Sequence, residues 1–291
     1  MKSIGIVAAP SKPQVLDLSR RIIELSKPHG IKVLFQRECA IALGREDLAS
    51  AQETDLAQCD VLITLGGDGT VLQAARLAVP FDKPVLSVDL GRLGFLAAVP
   101  PNEIDAAFEA LIAGKTFIVE RMLLEAEVVR KGEVISSGLL GLNDAVVAKS
   151  ALARILRLSI MVAGDLVAQT RADGLIISTP TGSTAYALSA GGPIVHPDVP
   201  LFLLCPICPH SLTQRPFAVS SNEVIEVRTE WEGDEVAEGE LEVMLTIDGQ
   251  IGVPLRIGDV VRVQKSSHRA KLIRMKQESF YERLRTKMGW Q

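Results

Sequence analysis

Short, nearly continuous apolar runs alternate with amphipathic patterns over the first part of the chain. Ile4 to Ala8 reads as a buried strand, and Val15, Leu18, Ile22 and Leu25 then recur at three- and four-residue steps behind Ser11 as a helix cap. Ile31 to Phe35, Val61 to Leu65 and Val85 to Val88 have the unbroken apolar character of parallel strands covered on both faces. Ile104, Phe108 and Leu111 mark a further helix, with Asn102 placed to cap it. Strand and helix in alternation predict an α/β, Rossmann-like domain over residues 1–116.

From Phe117 the apolar period falls to two. Met122, Leu124, Ala126 and Val128 alternate with Glu125 and Glu127, and Lys131-Gly132, Ala163-Gly164 and Asp248-Gly249 sit where hairpin turns belong. Further strands fit Leu156 to Val162, Leu175 to Ser178, Val224 to Thr229, Leu241 to Ile247 and Val260 to Val263. Residues 117–268 are therefore expected to form a mainly β domain. After Arg269 the pattern turns helical, and residues 269–291 are expected to return to the first domain. Glu230 to Glu242 is a short acidic loop whose expected state is simply solvated.

Composition narrows the function classes. With 291 residues, 47% hydrophobic and 23% charged, the chain can bury a large core, which excludes a disordered or fibrous protein. A formal net charge of −4 offers no basic footprint for nucleic acid or anionic lipid. Leu201 to Cys208, the most apolar stretch, is broken by Pro206 and is too short to span a bilayer. Lys2 with Ile4 to Ala9 imitates a signal peptide only superficially, and a first strand fits better. Four cysteines do not make a disulfide framework in so long a chain, which suits a cytoplasmic protein. Cys205 and Cys208, near His210, form a single C-x-x-C with no second pair to complete a zinc site, so they are expected to be small apolar thiols packing a loop.

Candidate chemistry is concentrated in three segments. In the first, the strand ending Ile63-Thr64-Leu65 runs into Gly66-Gly67-Asp68-Gly69-Thr70 and then a helix. Glycines admit unusual backbone angles and let N–H groups approach a phosphate, and a helix N-terminus favours negative charge. Asp68 beside a phosphate is an electrostatic liability unless it accepts a proton or faces a metal, although Gly-Asp-Gly is also an ordinary turn. No Gly-Lys-Ser/Thr follows, so the loop is not a Walker A sequence. The second segment runs from Arg171 and Asp173 through the hydroxyl-rich Ser178-Thr179-Pro180-Thr181-Gly182-Ser183-Thr184 into a short helix ending at Gly191, where hydroxyls and N–H groups converge. The third is Asn143-Asp144 at the start of a β run. Neighbouring strand side chains face opposite ways, so both can reach one ligand only at a bend or strand end.

These segments resemble the NAD kinase family, because several motifs occur together in order. They are Gly66 to Thr70, Gly91-Arg92-Leu93-Gly94-Phe95-Leu96, Asn143-Asp144, Thr179 to Pro197, Pro209-His210-Ser211-Leu212 and Phe280-Tyr281-Glu282. The resemblance spans nearly the whole chain. It implies an α/β nucleotide-binding domain, a mainly β NAD-binding domain, an active site between them, and a homo-oligomer, dimer or tetramer, whose neighbouring subunit helps line the pocket. It also implies phosphorylation of the adenosine-ribose 2′-hydroxyl of NAD by ATP with Mg²⁺, the protein ligands of any metal being left open.

Carried over by position, Asp68 matches the family's proton acceptor, and Asn143 and Asp144 match the pair that holds ribose hydroxyls. Thr184, Ala185, Tyr186, Ala187, Leu188 and Ser189 match the segment around the dinucleotide. Arg171, Asp173 and Gln250 resemble further contact positions, and Arg154 one that reaches phosphates. Asp89 departs from the family's more usual Asn, which leaves its role open. His196 and His210 are expected to make structural hydrogen bonds. Lipid kinases of the diacylglycerol or sphingosine type and phosphofructokinases share the Gly-Gly-Asp-Gly loop, but the run Thr179 to Pro197 argues against them. A non-catalytic dinucleotide sensor is the alternative from another class, against which the presence of Asp68 counts.

Overall fold

The computed structural model describes residues 1–8, 13–91, 94–96, 98–149, 155–211, 213–230, 243–276 and 279–290. The chain begins with β1 (Ser3–Ala8), α1 (Pro13–Ser26), β2 (Lys32–Phe35), α2 (Arg37–Leu43), α3 (Glu53–Ala57), β3 (Val61–Gly66), α4 (Asp68–Ala78), β4 (Pro84–Asp89) and α5 (Ile104–Ile112). It continues with β5 (Phe117–Arg130), β6 (Glu133–Gly141), β7 (Asp144–Lys149), β8 (Leu156–Val162), β9 (Asp165–Ala172), β10 (Gly174–Ser178) and α6 (Tyr186–Ser189). Last come β11 (Leu201–Ile207), β12 (Phe217–Ser220), β13 (Ile225–Glu230), β14 (Val243–Ile247), β15 (Ile251–Leu255), β16 (Val260–Arg274) and α7 (Phe280–Met288). Two compact units result, one formed by Met1–Arg121 with Arg269–Gln291 and the other by Met122–His268.

In the first unit β2, β1, β3 and β4 lie side by side and parallel, and Lys271 and Leu272 of β16 extend the sheet beside β4. Ile4, Ile6, Ile63, Leu65, Leu86 and Val88 pack one core with Val15 and Ile22 of α1 and Ile104 and Phe108 of α5. Val7 and Leu62, on alternate positions, are equally buried, so both sheet faces are covered and the strands read as unbroken apolar runs. The strand order reverses between β1 and β3. In open α/β sheets ligands bind at the carboxyl ends of the strands beside such a reversal, and β3 delivers Gly66 there.

The second unit is antiparallel throughout. One sheet runs β12-β11-β10-β7-β14-β15, and Leu175, Ile177, Phe202, Leu204, Leu245 and Ile247 from it meet Leu158, Ile160, Val227 and Val261 from β8, β13 and β16. Val146, Ile176, Leu203 and Cys205, on its opposite face, pack with Ala187 of α6. Central strands of this sheet are therefore buried twice, which is why Leu201 to Ile207 shows no alternation. Lys131, Ala163 and Asp248 each adopt positive φ ahead of a glycine, the geometry expected at the three hairpin turns.

Several expectations are corrected. The chain does not become helical at Arg269, because β16 continues to Arg274 with Ala270, Leu272 and Ile273 buried, and α7 begins only at Phe280. Asn102 lies in a 3-10 turn over Pro101–Glu103, and α5 starts behind Glu103 without a side-chain cap. Cys205 is buried within strand β11 while Cys208 is exposed at φ 46°, so the two thiols do not jointly pack a loop. Ser11, Arg154 and residues 231–242 lie outside the described residues, and Glu230 ends β13 with its carboxylate accepting from Ser159 Oγ at 2.7 Å. Among the described residues no helix is long and apolar enough to cross a membrane.

Gly174 sets the spacing of β10 against β7, because a Cβ there would lie 2.5 Å from the Val147 carbonyl oxygen. Gly174→Ala is expected to lower stability by about 1–3 kcal/mol in urea denaturation through this overpacking. An unchanged midpoint would show that the two strands separate freely.

Candidate active site

Asp68 occupies the first turn of α4 behind Gly67, where an acidic side chain is favoured by the helix dipole. Its carboxylate is fixed by two backbone donors, the N–H of Phe95 to Oδ2 at 2.9 Å and the N–H of Leu96 to Oδ1 at 3.2 Å. A carboxylate offers roughly four lone-pair sites, so this clamp fixes its orientation while leaving acceptor capacity. Gly94 lies against the same group, and a Cβ there would come 1.9 Å from Oδ1.

Asp89, whose role the sequence left open, builds the loop that makes this clamp. It is 4% exposed, accepts the Gly91 N–H through Oδ1 at 2.9 Å and accepts the Gly94 N–H through Oδ2 at 3.0 Å. A carboxylate can receive both donors on separate oxygens, whereas a carboxamide has one oxygen to offer. Ser87 Oγ donates to the Leu96 carbonyl at 3.2 Å and Arg283 Nη1 of α7 donates to the Phe95 carbonyl at 2.8 Å, fixing the segment from two sides.

The glycines of Gly66 to Thr70 act differently from the expectation of unusual backbone angles. None of Gly66, Gly67 and Gly69 has positive φ. Gly66 is required for space, since a Cβ would sit 2.1 Å from Thr70 Oγ1.

In the second unit another inward carboxylate gathers the chain. Asp248 is 8% exposed and accepts from the N–H groups of Leu142 at 3.1 Å, Asn143 at 2.7 Å and Asp144 at 3.2 Å. Asn143 is thereby held at the bend just before β7, its carbonyl accepting from the Thr179 N–H at 2.8 Å. Asn143 and Asp144 thus have the strand-end placement that lets adjacent side chains serve one ligand. Gln250 is exposed in the turn that carries Asp248, at the same end of the sheet.

Burial, and then the negative charge of Asp248, push the Asp144 carboxyl up to about 7. Asp144 is 5% exposed, and its strand neighbours Ala145 and Val147 belong to the apolar core.

The hydroxyl-rich run is turned largely upon itself. Thr179 Oγ1 donates to the Leu142 carbonyl at 2.6 Å, Ser178 Oγ to the Thr179 carbonyl at 2.9 Å, Ser183 Oγ to the Pro180 carbonyl at 2.7 Å and Thr184 Oγ1 to the Thr181 carbonyl at 3.3 Å. Gly182 packs so tightly that a Cβ would lie 2.2 Å from the Asn143 carbonyl oxygen. These hydroxyls build a compact connection rather than converging on open space. Beyond it, Ala187 is fully buried, whereas Tyr186 is 47% exposed and Ser189 is exposed.

Arg171 and Asp173 are not brought to this place. Asp173 pairs with Lys149 at 2.8 Å, and Gly174 lies opposite Ala148, whereas Ser178 lies opposite Asp144. They stand at the far end of β7, about 16 Å from Asp144 at 3.3 Å per residue. Arg171 lines a separate 390 Å³ cavity with Arg157, Gln169, Thr170, His210 and Ser211. His196 Nδ1 accepts the Asp198 N–H at 3.2 Å, a local structural bond of the expected kind.

Comparison with known proteins matches residues 4–116 to the ATP-NAD kinase N-terminal domain and residues 142–275 to the ATP-NAD kinase C-terminal domain. The NAD kinase of Citrifermentans bemidjiense is 41% identical over 292 residues, covering 100% of this chain and 99% of the relative. That of Desulforamulus reducens is 42% identical over 293 residues, again covering 100% and 99%. The chain belongs to the ATP-NAD kinase family. Among solved structures, yeast NADH kinase complexed with NADH superposes with a TM-score of 0.89 at 27% identity, covering 100% of this chain and 88% of that one. The Archaeoglobus fulgidus NAD kinase in complex with ATP shares the fold, with a TM-score of 0.75 at 24% identity and 99% coverage of each chain.

Within this member of the family, sequence reading passed over four contributors. Phe95 and Leu96 act through their backbone N–H groups, Gly94 through the absence of a side chain, and Arg283 through a carbonyl far away in sequence. The motif Gly91 to Leu96 was the available signal for the first three. No side-chain chemistry advertised its function.

The raised Asp144 pKa has a consequence for stability. The folded state binds this proton more tightly than the unfolded chain, whose reference value is 3.8, so stability is lost as pH rises through the window from 3.8 to about 7. Asp144→Asn is expected to remove that loss and gain on the parent protein by up to about 4 kcal/mol between pH 4 and pH 8. Parallel pH–stability curves for the two proteins would contradict it.

Proposed function

We propose that this member of the ATP-NAD kinase family transfers the terminal phosphoryl group of ATP to the adenosine-ribose 2′-hydroxyl of NAD, giving NADP, with Asp68 accepting the hydroxyl proton. The observation that carries the reading is a carboxylate clamped by the N–H groups of Phe95 and Leu96 at the start of α4. Phosphoryl transfer depends chiefly on placement and electrostatic stabilisation, and a positioned base adds about 10²–10⁴ in rate. Fixing the carboxylate before the substrate arrives supplies such placement.

In this reading Asn143 and Asp144 hold ribose hydroxyls, and Gln250 adds a contact from the adjoining turn. The segment Thr184 to Ser189 lines the dinucleotide, with exposed Tyr186 as its aromatic face and buried Ala187 supporting it from the core. Arg154 meets the dinucleotide's phosphates. Arg171 and Asp173, at the other end of β7, serve the ligand of a second subunit in a homo-oligomer. The yeast relative was solved with NADH, which makes the reduced dinucleotide a substrate to be tried alongside NAD.

Mg²⁺ fits as a companion of the nucleotide. No group of three or more His, Cys, Asp or Glu side chains among the described residues forms a metal cage, and Mg²⁺ ordinarily keeps its waters and binds substrate phosphates with one or two carboxylates. The open acceptor capacity of Asp68 is suited to such a contact. The ion would supply neutralisation of charge on the triphosphate.

Purified protein incubated with ATP, Mg²⁺ and either NAD or NADH is expected to form NADP or NADPH, with ATP consumption dependent on the dinucleotide. A sensor would consume none. Asp68→Asn should reduce turnover by about 10²–10⁴ while NAD binding stays measurable, and near-parent turnover would remove Asp68 from the mechanism. Gly94→Ala, which forces a methyl group into the carboxylate, should reduce turnover by at least tenfold with a smaller change in NAD affinity. A variant that kept full turnover would show that the clamp is dispensable.

A further inference from the structure

Helix α7 is built to deliver cations to the Asp68 clamp. Ser279 caps its start by accepting the Tyr281 N–H at 3.2 Å, Gly289 ends it at φ 65°, and buried Leu284 anchors it. Arg283 and Lys287, four residues apart, lie on one face of the helix. Arg283 donates to the Phe95 carbonyl, and Lys287 Nζ lies 5.9 Å from the centre of the Phe95 ring.

Lys287 Nζ is screened from solvent and has no hydrogen-bond partner among the described residues. Neither Asp68 nor Asp89 accepts a hydrogen bond from it, although each of their oxygens receives only one backbone N–H. Burial lowers the pKa of the ammonium, opposed by the charges of Asp68 and Asp89 and reinforced by Arg283. A buried cation with three unused donors is costly in the free protein. The cost is relieved when an anion arrives.

The nucleotide reading supplies that anion. A triphosphate approaching the glycine loop meets the negative charge of Asp68, a repulsion that a side-chain cation would offset alongside Mg²⁺. We propose that Lys287 is a further substrate-contacting residue, whose ammonium donates to the terminal phosphate of the nucleoside triphosphate and offsets its repulsion by Asp68. This rests on the kinase reading, and it adds a residue from the last helix to the phosphate site. Phosphate contacts of this kind are charge-assisted, and removing one donor to a reacting centre typically costs about 10²–10³ in turnover.

Lys287→Met keeps the length and apolar stem of the side chain and removes the charge. It is expected to lower kcat by about 10²-fold and raise KM for ATP at least tenfold, with the Kd for NAD within twofold of the parent. Its Tm should be equal or higher, since an unpartnered buried charge has gone, whereas a purely structural lysine would lower it. Lys287→Arg should recover at least a tenth of the parent turnover. Calorimetric titration with inorganic tripolyphosphate tests the contact whether or not NADP forms, and Lys287→Met should bind it at least tenfold more weakly. Equal tripolyphosphate affinity in the two proteins, no binding by either, or a loss confined to NAD affinity would overturn the assignment. Absence of NADP formation by the parent protein would instead strike the kinase reading.

Discussion

Two backbone hydrogen bonds, from the N–H groups of Phe95 and Leu96 to the Asp68 carboxylate, are the constraint around which the first unit is organised. For them to form, β3 must end at Gly66, α4 must begin at Asp68, and the chain after β4 must fold back. Asp89 accomplishes the last step by collecting the N–H groups of Gly91 and Gly94. Arg283 then holds the Phe95 carbonyl from α7, so a residue 188 positions from Phe95 helps fix the Asp68 side chain. Free energy released in burying the parallel sheet and its helices keeps these polar contacts in register.

The second unit repeats the device with different parts. Asp248, held in a hairpin turn, gathers three successive N–H groups and so shapes the bend at Asn143. The connection after β10 closes over that bend through its own hydroxyls and through the close approach of Gly182. In both units a buried acidic side chain acts as a fastener that positions the residues beside it. Asp89 serves Asp68 in this way, and Asp248 serves Asn143 and Asp144.

Both sites carry polar groups that stability alone would not favour. Asp144 is buried near the charge of Asp248, and the Lys287 ammonium is buried with no hydrogen-bond partner among the described residues. Such groups weaken the folded state and are relieved by a ligand of complementary charge or hydrogen bonding. Their presence beside dense apolar cores is a departure from what stability alone would select. The same reasoning separates them from Thr179 and Ser183, whose hydroxyls are buried and hydrogen-bonded.

Local pattern was sufficient for much of this protein. The unbroken runs of β1, β3 and β4, the three hairpin turns, and the glycine loop between strand and helix were legible because each depends on residues close together in sequence. Family membership was legible for the same reason, in short motifs of fixed order. Tertiary structure alone decided the rest. It showed β16 running on past Arg269, because a strand added beside β4 is recognised by its partner rather than its own period. It gave Asp89 a role, turned the hydroxyls of Ser178 to Thr184 inward, and set Arg171 and Asp173 at the other end of β7 from Asp144. Each of these depends on contacts between distant residues or on backbone N–H groups, which every non-proline residue carries and no sequence pattern distinguishes.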